Sequence, residues 1–481
     1  MSSTITVTME TKRHSGQDLP SEHARKGSIN TDTPWYLQLD HANEVVYDPA
    51  ICTVRQGTLT GLVEHLTRHD KLDAVFNDTF LMTYPSFVTA SELFEKLLVR
   101  FYTLPPEGLS ESETETWIQQ KQKMIRFRVV NILKNWFGRF WLELPGEDSL
   151  TFARQAHHLV QTSPAITEIP GAQQLLVVME QRLQDKSTKH LVPPPIASAP
   201  PPIIPKNLRK IKILDIDAME FARQLTILEY QHYARIKPLE CLNKSWQRKG
   251  PNDKGTNVNA MILHSNQLSN WVGATILAQT EIKKRVMLIK QFITIADKCR
   301  SLNNYATMMS IISGLGTTPI YRLYMTWPQL SPKVMNTLEE MRELMSSTKN
   351  FGKYRENLRC THPPCVPFLG IYLTDLVFIE DGIANHAPNG MINFSKRLKV
   401  GEVLQDIQQF QSTPYVFQSV PELQDYIVNG LQSTEEFGDL YERSIALEPR
   451  RMGEEGFSGH VPYAATGSHM SSVVIASMAI R

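Results

Sequence analysis

Residues 368–382 read FLGIYLTDLVFIEDG. Pro367 precedes the stretch and Gly382 closes it, residue types suited to the first turn of a helix and to the position past its end. Read as a helix, it puts Leu369, Leu373, Leu376 and Glu380 on one stripe, at i, i+4, i+7 and i+11. Thr374, Val377, Phe378 and Asp381 form a second stripe, at i, i+3, i+4 and i+7. The first suits a core. The second mixes a hydroxyl, two apolar groups and a carboxylate, which suits a working surface better than a packing one. A buried strand is the alternative, because Ile, Tyr, Val and Phe favour sheets. Alternation would then place Asp375 with Ile371, Leu373, Val377 and Ile379, a costly burial without a partner. GIANHAPNG (382–390) reads as a turn-rich connection. MINFSKRLKVGEVLQDIQQF (391–410) resumes helical spacing at Val400, Val403, Leu404, Ile407 and Phe410. Two helices joined this way make a helical hairpin.

The surrounding chain reads as helical too. AMEFARQLTILEYQHYARI (218–236), NQLSNWVGATILAQ (266–279) and EIKKRVMLIKQFITIADKCRSL (281–302) carry three-to-four apolar spacing, and 211–447 reads as one helical domain. Residues 35–186 read as a second helical unit, with RFRVVNILKNWFGRFW (126–141) its most apolar helix. The expected fold class is all-α. Residues 1–34 are polar and aperiodic and read as disordered, and 448–481 read as a flexible tail. Between the helical units, 187–210 reads as a linker. Its stretch LVPPPIASAPPPIIP holds seven prolines, the composition of a polyproline spacer. Docking of a proline-binding domain at 193–205 is the alternative use.

Lys and Arg number 50 and Asp and Glu 49, a balance that argues against a general nucleic-acid binder. The five cysteines form no CxxC pair and are odd in number, which points away from a disulfide framework and toward a reducing, cytoplasmic setting. The N-terminus lacks the apolar core of a secretory signal, and no run approaches the roughly 20 apolar residues of a membrane span. Membrane residence is therefore expected only through a partner or through sequence beyond these 481 residues.

Motifs for covalent chemistry are missing: GxxxxGK[ST], GxSxG and HExxH do not occur. GLGTTP (314–319) lacks the phosphate-loop lysine. CTHPPC (360–365) brings Cys360, His362 and Cys365 close, but without a second cluster at zinc spacing it reads as a turn. No cofactor or metal is expected, and the chain reads as one that acts on another protein.

PPCVPFLGIYLTDLVFIEDG followed by INFSKRLKV strongly resembles the signature of Ras-type guanine-nucleotide exchange factors, the family of the Son-of-sevenless proteins. ARQLTILEYQHYARIKPLEC, NQLSNWV, LNNYATMMSIISGLGTTPIYRL and LRCTHPPCVPF agree in the family's order. Upstream, GTLTGLVEHLTRHDKLDAVFNDTFLMTYPSFVTASELFEKLLVRF resembles the N-terminal module that accompanies the domain. The resemblance covers roughly residues 35–435.

It implies an all-helical catalytic bowl with a protruding hairpin, and a Ras-family small GTPase as partner. That GTPase carries its own nucleotide and magnesium ion and is membrane-anchored, so the exchanger would be recruited to the inner face of a membrane. The hairpin would pry switch 1 away. Val377 would intrude where magnesium sat and Asp381 would compete with phosphate, with Thr374 and Asp375 one turn before. Ile262, Met309, Phe351 and Phe368 would line an apolar pocket for a switch 2 aromatic. Trp246, Asn266, Gly316 and Tyr321 fall at matching motif positions for GTPase binding. Some relatives carry Leu and Glu at the Val377 and Asp381 positions, Asn at Gly316 and Arg at Leu263, which bears on whether a Ras, Rap or Ral class is preferred. The N-terminal module is expected to pack on the hairpin base and fix its angle. A non-catalytic GTPase-binding scaffold, and a helical adaptor bound through the proline linker, are the alternatives.

Overall fold

Helix starts in this chain are marked by short polar side chains that take up backbone N–H groups with no partner inside the helix. Thr58 accepts from the Gly61 amide, Asp73 from Phe76, Asp217 from Met219 and Glu220, Asn304 from Thr307 and Asn393 from Lys396. Thr89 with Glu92, and Ser110 with Glu113, form reciprocal capping boxes. The computed structural model describes residues 33–143, 146–184, 199–248, 255–433 and 437–450. Residues 1–32, 185–198 and 451–481 lie outside it, and with them most of the segments read as disordered, linker and tail.

The N-terminal half contains strands β1 (Val45–Tyr47) and β2 (Val54–Gly57) and helices α1 (Leu59–Leu66), α2 (Ala74–Thr83), α3 (Ala90–Phe101), α4 (Glu111–Trp117), α5 (Lys123–Gly138), α6 (Glu147–Thr162), α7 (Pro164–Thr167) and α8 (Ala172–Leu183). The stretch read as the most apolar helix is α5, which buries Ile125, Val129, Val130, Ile132, Leu133, Trp136 and Phe137. Past its end the chain turns back so that Trp141 stacks on Phe152, their ring centroids 6.1 Å apart. The segment before β1 is tied down by charge. Lys121, 1% exposed, reaches Asp40 at 2.6 Å, and Arg100 bridges Asp40 and Glu64 at 2.8 and 2.9 Å.

The C-terminal half follows as α9 (Ala218–Ala234), α10 (Pro238–Cys241), α11 (Thr256–Leu277), α12 (Ile282–Ser301), α13 (Tyr305–Gly316), α14 (Thr318–Tyr321), α15 (Pro332–Leu344), α16 (Gly352–Arg359), α17 (Leu369–Gly382), β3 (Ile392–Asn393), α18 (Phe394–Gln409), α19 (Pro421–Gln432) and α20 (Phe437–Leu447). α13 is buried almost all round, in keeping with its largely apolar sequence, and sits against α9, α11 and α12. Its contact with α11 needs Gly314: a Cβ there would stand 2.6 Å from the Ser269 carbonyl oxygen. Glu448 is fully buried, accepting from Arg285 at 2.9 Å and from the Met325 amide at 2.7 Å, so the folded part runs past the expected boundary at 447. Residues 199–205 lie along α9: the Ile203 amide donates to Glu220 and Arg223 donates to the Pro201 carbonyl. Of the stretch 193–205 considered for docking of a proline-binding domain, 193–198 lie outside the described residues and 199–205 are held against α9.

The stretch 369–382 is helical, which removes the buried-strand alternative. α17 and α18 pack side by side as the expected hairpin. One feature of its base departs from the sequence reading. β3 pairs antiparallel with β2, placing Gln56 opposite Asn393 and Gly57 opposite Ile392, and β2 pairs with β1. A three-stranded sheet in the order β1-β2-β3 thus joins the N-terminal half to the hairpin. Beside it Phe394 stacks on Phe76 at 4.4 Å, and Gly401 lies against Thr79. The N-terminal half thus packs on the hairpin through β3 and α18. Among the described residues no helix is long and apolar enough to cross a membrane, and no group of three or more His, Cys, Asp or Glu is placed to hold a metal. Cys360 is exposed while Cys365 is buried.

Candidate functional site

The two stripes of α17 separate as helical geometry requires. Leu369, Leu373 and Leu376 are buried in the core. Glu380 ends that stripe and pairs with Lys396 of α18 at 2.7 Å, with both side chains nearly buried. Lys396 also donates to Asn385 at 2.9 Å and to the Glu380 carbonyl at 3.3 Å, tying both helices to the connection between them. A buried ion pair of this kind stands only when its remaining donors are satisfied.

The other stripe faces out. Phe378 is 69% exposed, the Asp381 side chain 59%, and Thr374 and Val377 are partly exposed. The Thr374 hydroxyl donates back to the Gly370 carbonyl at 2.8 Å. Asp381 meets the Lys244 ammonium at 2.5 Å. The adjacent carboxylates at 380 and 381 therefore have separate duties: one locks the hairpin and the other is presented beside it. Asp375 is different again. Arg355 of α16 grips both its oxygens, at 2.8 and 2.9 Å, and Asn350 adds a contact at 3.4 Å. Bidentate pairing of this sort fixes orientation as well as charge. It makes Asp375 a tie between α17 and α16.

The residues that the resemblance marks for GTPase binding divide by burial. Trp246, Ile262, Met309, Phe351 and Phe368 are 1–6% exposed and belong to the core. Phe351 and Phe368 are brought together, with centroids 6.2 Å apart. Phe351 holds a left-handed backbone at the start of α16, with φ of 60°. The Phe368 amide donates to the Tyr354 hydroxyl at 2.9 Å. Gly370 leaves the room that the Phe368 ring occupies, since a Cβ there would stand 2.4 Å from it. Burial pushes the Tyr354 and Tyr372 phenols up, so both stay neutral. Asn266 is exposed, Gly316 and Tyr321 are half-buried, and Leu263, three residues before Asn266 on the same helix, is 57% exposed. So five of the eight are core residues, while Asn266 is exposed and Gly316 and Tyr321 are half-buried.

Three side chains at this site escaped the sequence reading as site residues. Phe378 carried a signal, its place on the mixed stripe. Lys244 and Arg355 carried none, because each meets its carboxylate only through the tertiary fold.

The arrangement offers an apolar and acidic helix face beside a second folded unit. The family model for the RasGEF domain matches residues 220–398, and the model for the RasGEF N-terminal motif matches residues 53–155. Cell division control protein 25 of Saccharomyces cerevisiae is 34% identical over 461 residues, covering 90% of this chain and 29% of that protein. Its namesake in Candida albicans is 37% identical over 435 residues, covering 88% of this chain and 32% of that protein. Ras guanine nucleotide exchange factor A of Dictyostelium discoideum is 32% identical over 448 residues, covering 90% of this chain and 71% of that protein. The chain thus spans a third or less of the two fungal relatives.

Proposed function

The chain belongs to the RasGEF domain family, and on that premise we propose that it is a guanine-nucleotide exchange factor for a Ras-family small GTPase. It works by inserting the α17–α18 hairpin at switch 1 and the magnesium and phosphate site. GDP leaves and GTP loads. The observation that carries the reading is the outward face of α17, where Val377, Phe378 and Asp381 are available while the opposite stripe is core.

The physics is competition. A nucleotide held at nanomolar affinity is bound by about 12 kcal/mol, and most of that holds phosphate and metal. An apolar side chain, Val377, occupies space a metal ion needs. A carboxylate, Asp381, repels phosphate and accepts from the donors that phosphate vacates. Contact elsewhere must compensate, or the open state would not form. Ile262, Met309, Phe351 and Phe368 supply it by yielding an apolar pocket to a switch 2 aromatic, with Trp246, Asn266, Gly316 and Tyr321 around it. Thr374 lies on the inserting face. Asp375 serves that face indirectly, through its hold on Arg355. The N-terminal unit sets the hairpin angle through the β2–β3 pairing. The GTPase substrate is membrane-anchored, so the exchanger acts at the inner face of a membrane.

The test is release of a fluorescent GDP analogue from purified Ras, with excess free nucleotide. Acceleration by catalytic amounts of the protein is expected. Binding without faster release would leave a scaffold in its place.

A further inference from the structure

Lys244 stands outside the hairpin, 137 residues from Asp381 in sequence, yet its ammonium meets the Asp381 carboxylate at 2.5 Å. It is delivered there by an unusual loop. Asn243 and Lys244 both hold left-handed backbones, with φ of 53° and 54°. Asn takes that conformation readily, but a lysine does so where surrounding structure holds it there. Here the enforcement is visible on both sides: Leu242 and Trp246 are 2% and 1% exposed, and the Ser245 hydroxyl donates to the Leu242 carbonyl. The loop packs against α17. The ammonium is thus carried on a rigid support and aimed at the one exposed carboxylate of the inserting face.

Its sign opposes the function proposed for that carboxylate. Asp381 acts by being negative where phosphate must leave. A lysine bound to it cancels the charge and would itself attract phosphate. The pair is nonetheless partly open, with 31% of the Lys244 side chain and 59% of the Asp381 side chain exposed. Exposed pairs are weak and exchange partners readily.

We propose that Lys244 is an internal counter-ion that restrains Asp381 in the free protein, and that exchange requires Asp381 to trade the Lys244 ammonium for the donors of the GTPase phosphate site. This rests on the exchange reading above and adds a built-in brake to it. Lys244 is then a positioning residue, whose influence passes entirely through Asp381.

The experiment measures release of a fluorescent GDP analogue from Ras at low ionic strength. The full chain is used in five forms: unaltered, Lys244→Met, Lys244→Arg, Asp381→Asn, and Lys244→Met with Asp381→Asn. Lys244→Met is expected to release nucleotide about two- to fivefold faster, the range an exposed ion pair allows. Lys244→Arg keeps the pair and should accelerate less than Lys244→Met. In the Asp381→Asn background, Lys244→Met should change nothing. A Lys244→Met protein that is slower than the unaltered chain, or equal to it, overturns the inference. So does equal acceleration with and without Asp381. Lys244→Gln repeats the test if circular dichroism shows that Lys244→Met has lost helix. An unaltered chain that releases no nucleotide defeats the exchange reading itself, a different outcome from an active chain indifferent to Lys244.

Discussion

Phe394, the first residue of α18, stacks on Phe76 of α2 with ring centroids 4.4 Å and planes 29° apart. Both rings are buried. This contact, with the strand pairing beside it, makes the N-terminal unit part of the hairpin's foundation. Phe76→Ala should cost about 3–5 kcal/mol, the usual range for deleting a buried ring. Denaturant unfolding measures that. Nucleotide release should slow as well, because the hairpin loses its fixed angle. Normal release from a folded Phe76→Ala protein would show that the angle is set elsewhere.

Lys396 and Glu380 form the buried tie between the two hairpin helices. Lys396→Met leaves the Glu380 carboxylate without its partner and should destabilise by about 3–5 kcal/mol. Replacing both, as Lys396→Met with Glu380→Gln, should recover most of that loss. Hydrogen exchange along 369–382 gives a local readout: protection should fall in the single variant and return in the double.

At the other end of the domain, Glu448 is the buried partner of Arg285. Glu448→Ala should cost about 3–5 kcal/mol and expose the amides of α20 to exchange. Because the partners of Glu448 are Arg285, Met325 and Thr326 and none belongs to α17 or α18, release rates measured well below the unfolding temperature should change little.

The fold's helices were legible for local reasons. Thr58, Asp73, Thr89 and Asp217 mark starts that any window of sequence reveals, and the Leu369–Leu373–Leu376 stripe announces a core face. The sheet was not. β2 and β3 are four and two residues long, too short for a period, and Gln56 finds Asn393 only after the whole chain has folded. The site divides the same way. Spacing separated Val377 and Asp381 from the core stripe. It could not tell that Trp246 and Met309 are sealed while Asn266 is open, since all lie in motifs of the same character. Nor could it find Lys244, whose placement depends on a loop conformation with no sequence period.

Stability should also respond to pH through His264. Its ring nitrogen lies 3.3 Å from the buried Glu229 carboxylate and its ring 4.8 Å from that of His232. Burial works to lower the His264 pKa, but Glu229 outweighs it and the net shift is upward. His232 is shifted downward, by burial first and by His264 second. A raised folded-state pKa stabilises fully below the unfolded value of about 6.5 and loses that contribution as pH rises through the folded value. The stability gap between the unaltered chain and His264→Gln should therefore be wider at acidic than at alkaline pH. Urea unfolding across that range measures it, and a gap that widened toward alkaline pH would reverse the sign argued here.

The central claim is that the outward face of α17 dislodges nucleotide by shape and charge. Its most direct test is the release rate of a fluorescent GDP analogue from Ras with Val377→Asp and Asp381→Ala, each checked for an unchanged circular dichroism spectrum and unfolding midpoint. Both side chains are at least partly exposed, so both variants should fold. The account predicts that each slows release at least about tenfold, a loss of about 1.4 kcal/mol in transition-state stabilisation. Release at the unaltered rate from both folded variants would contradict it.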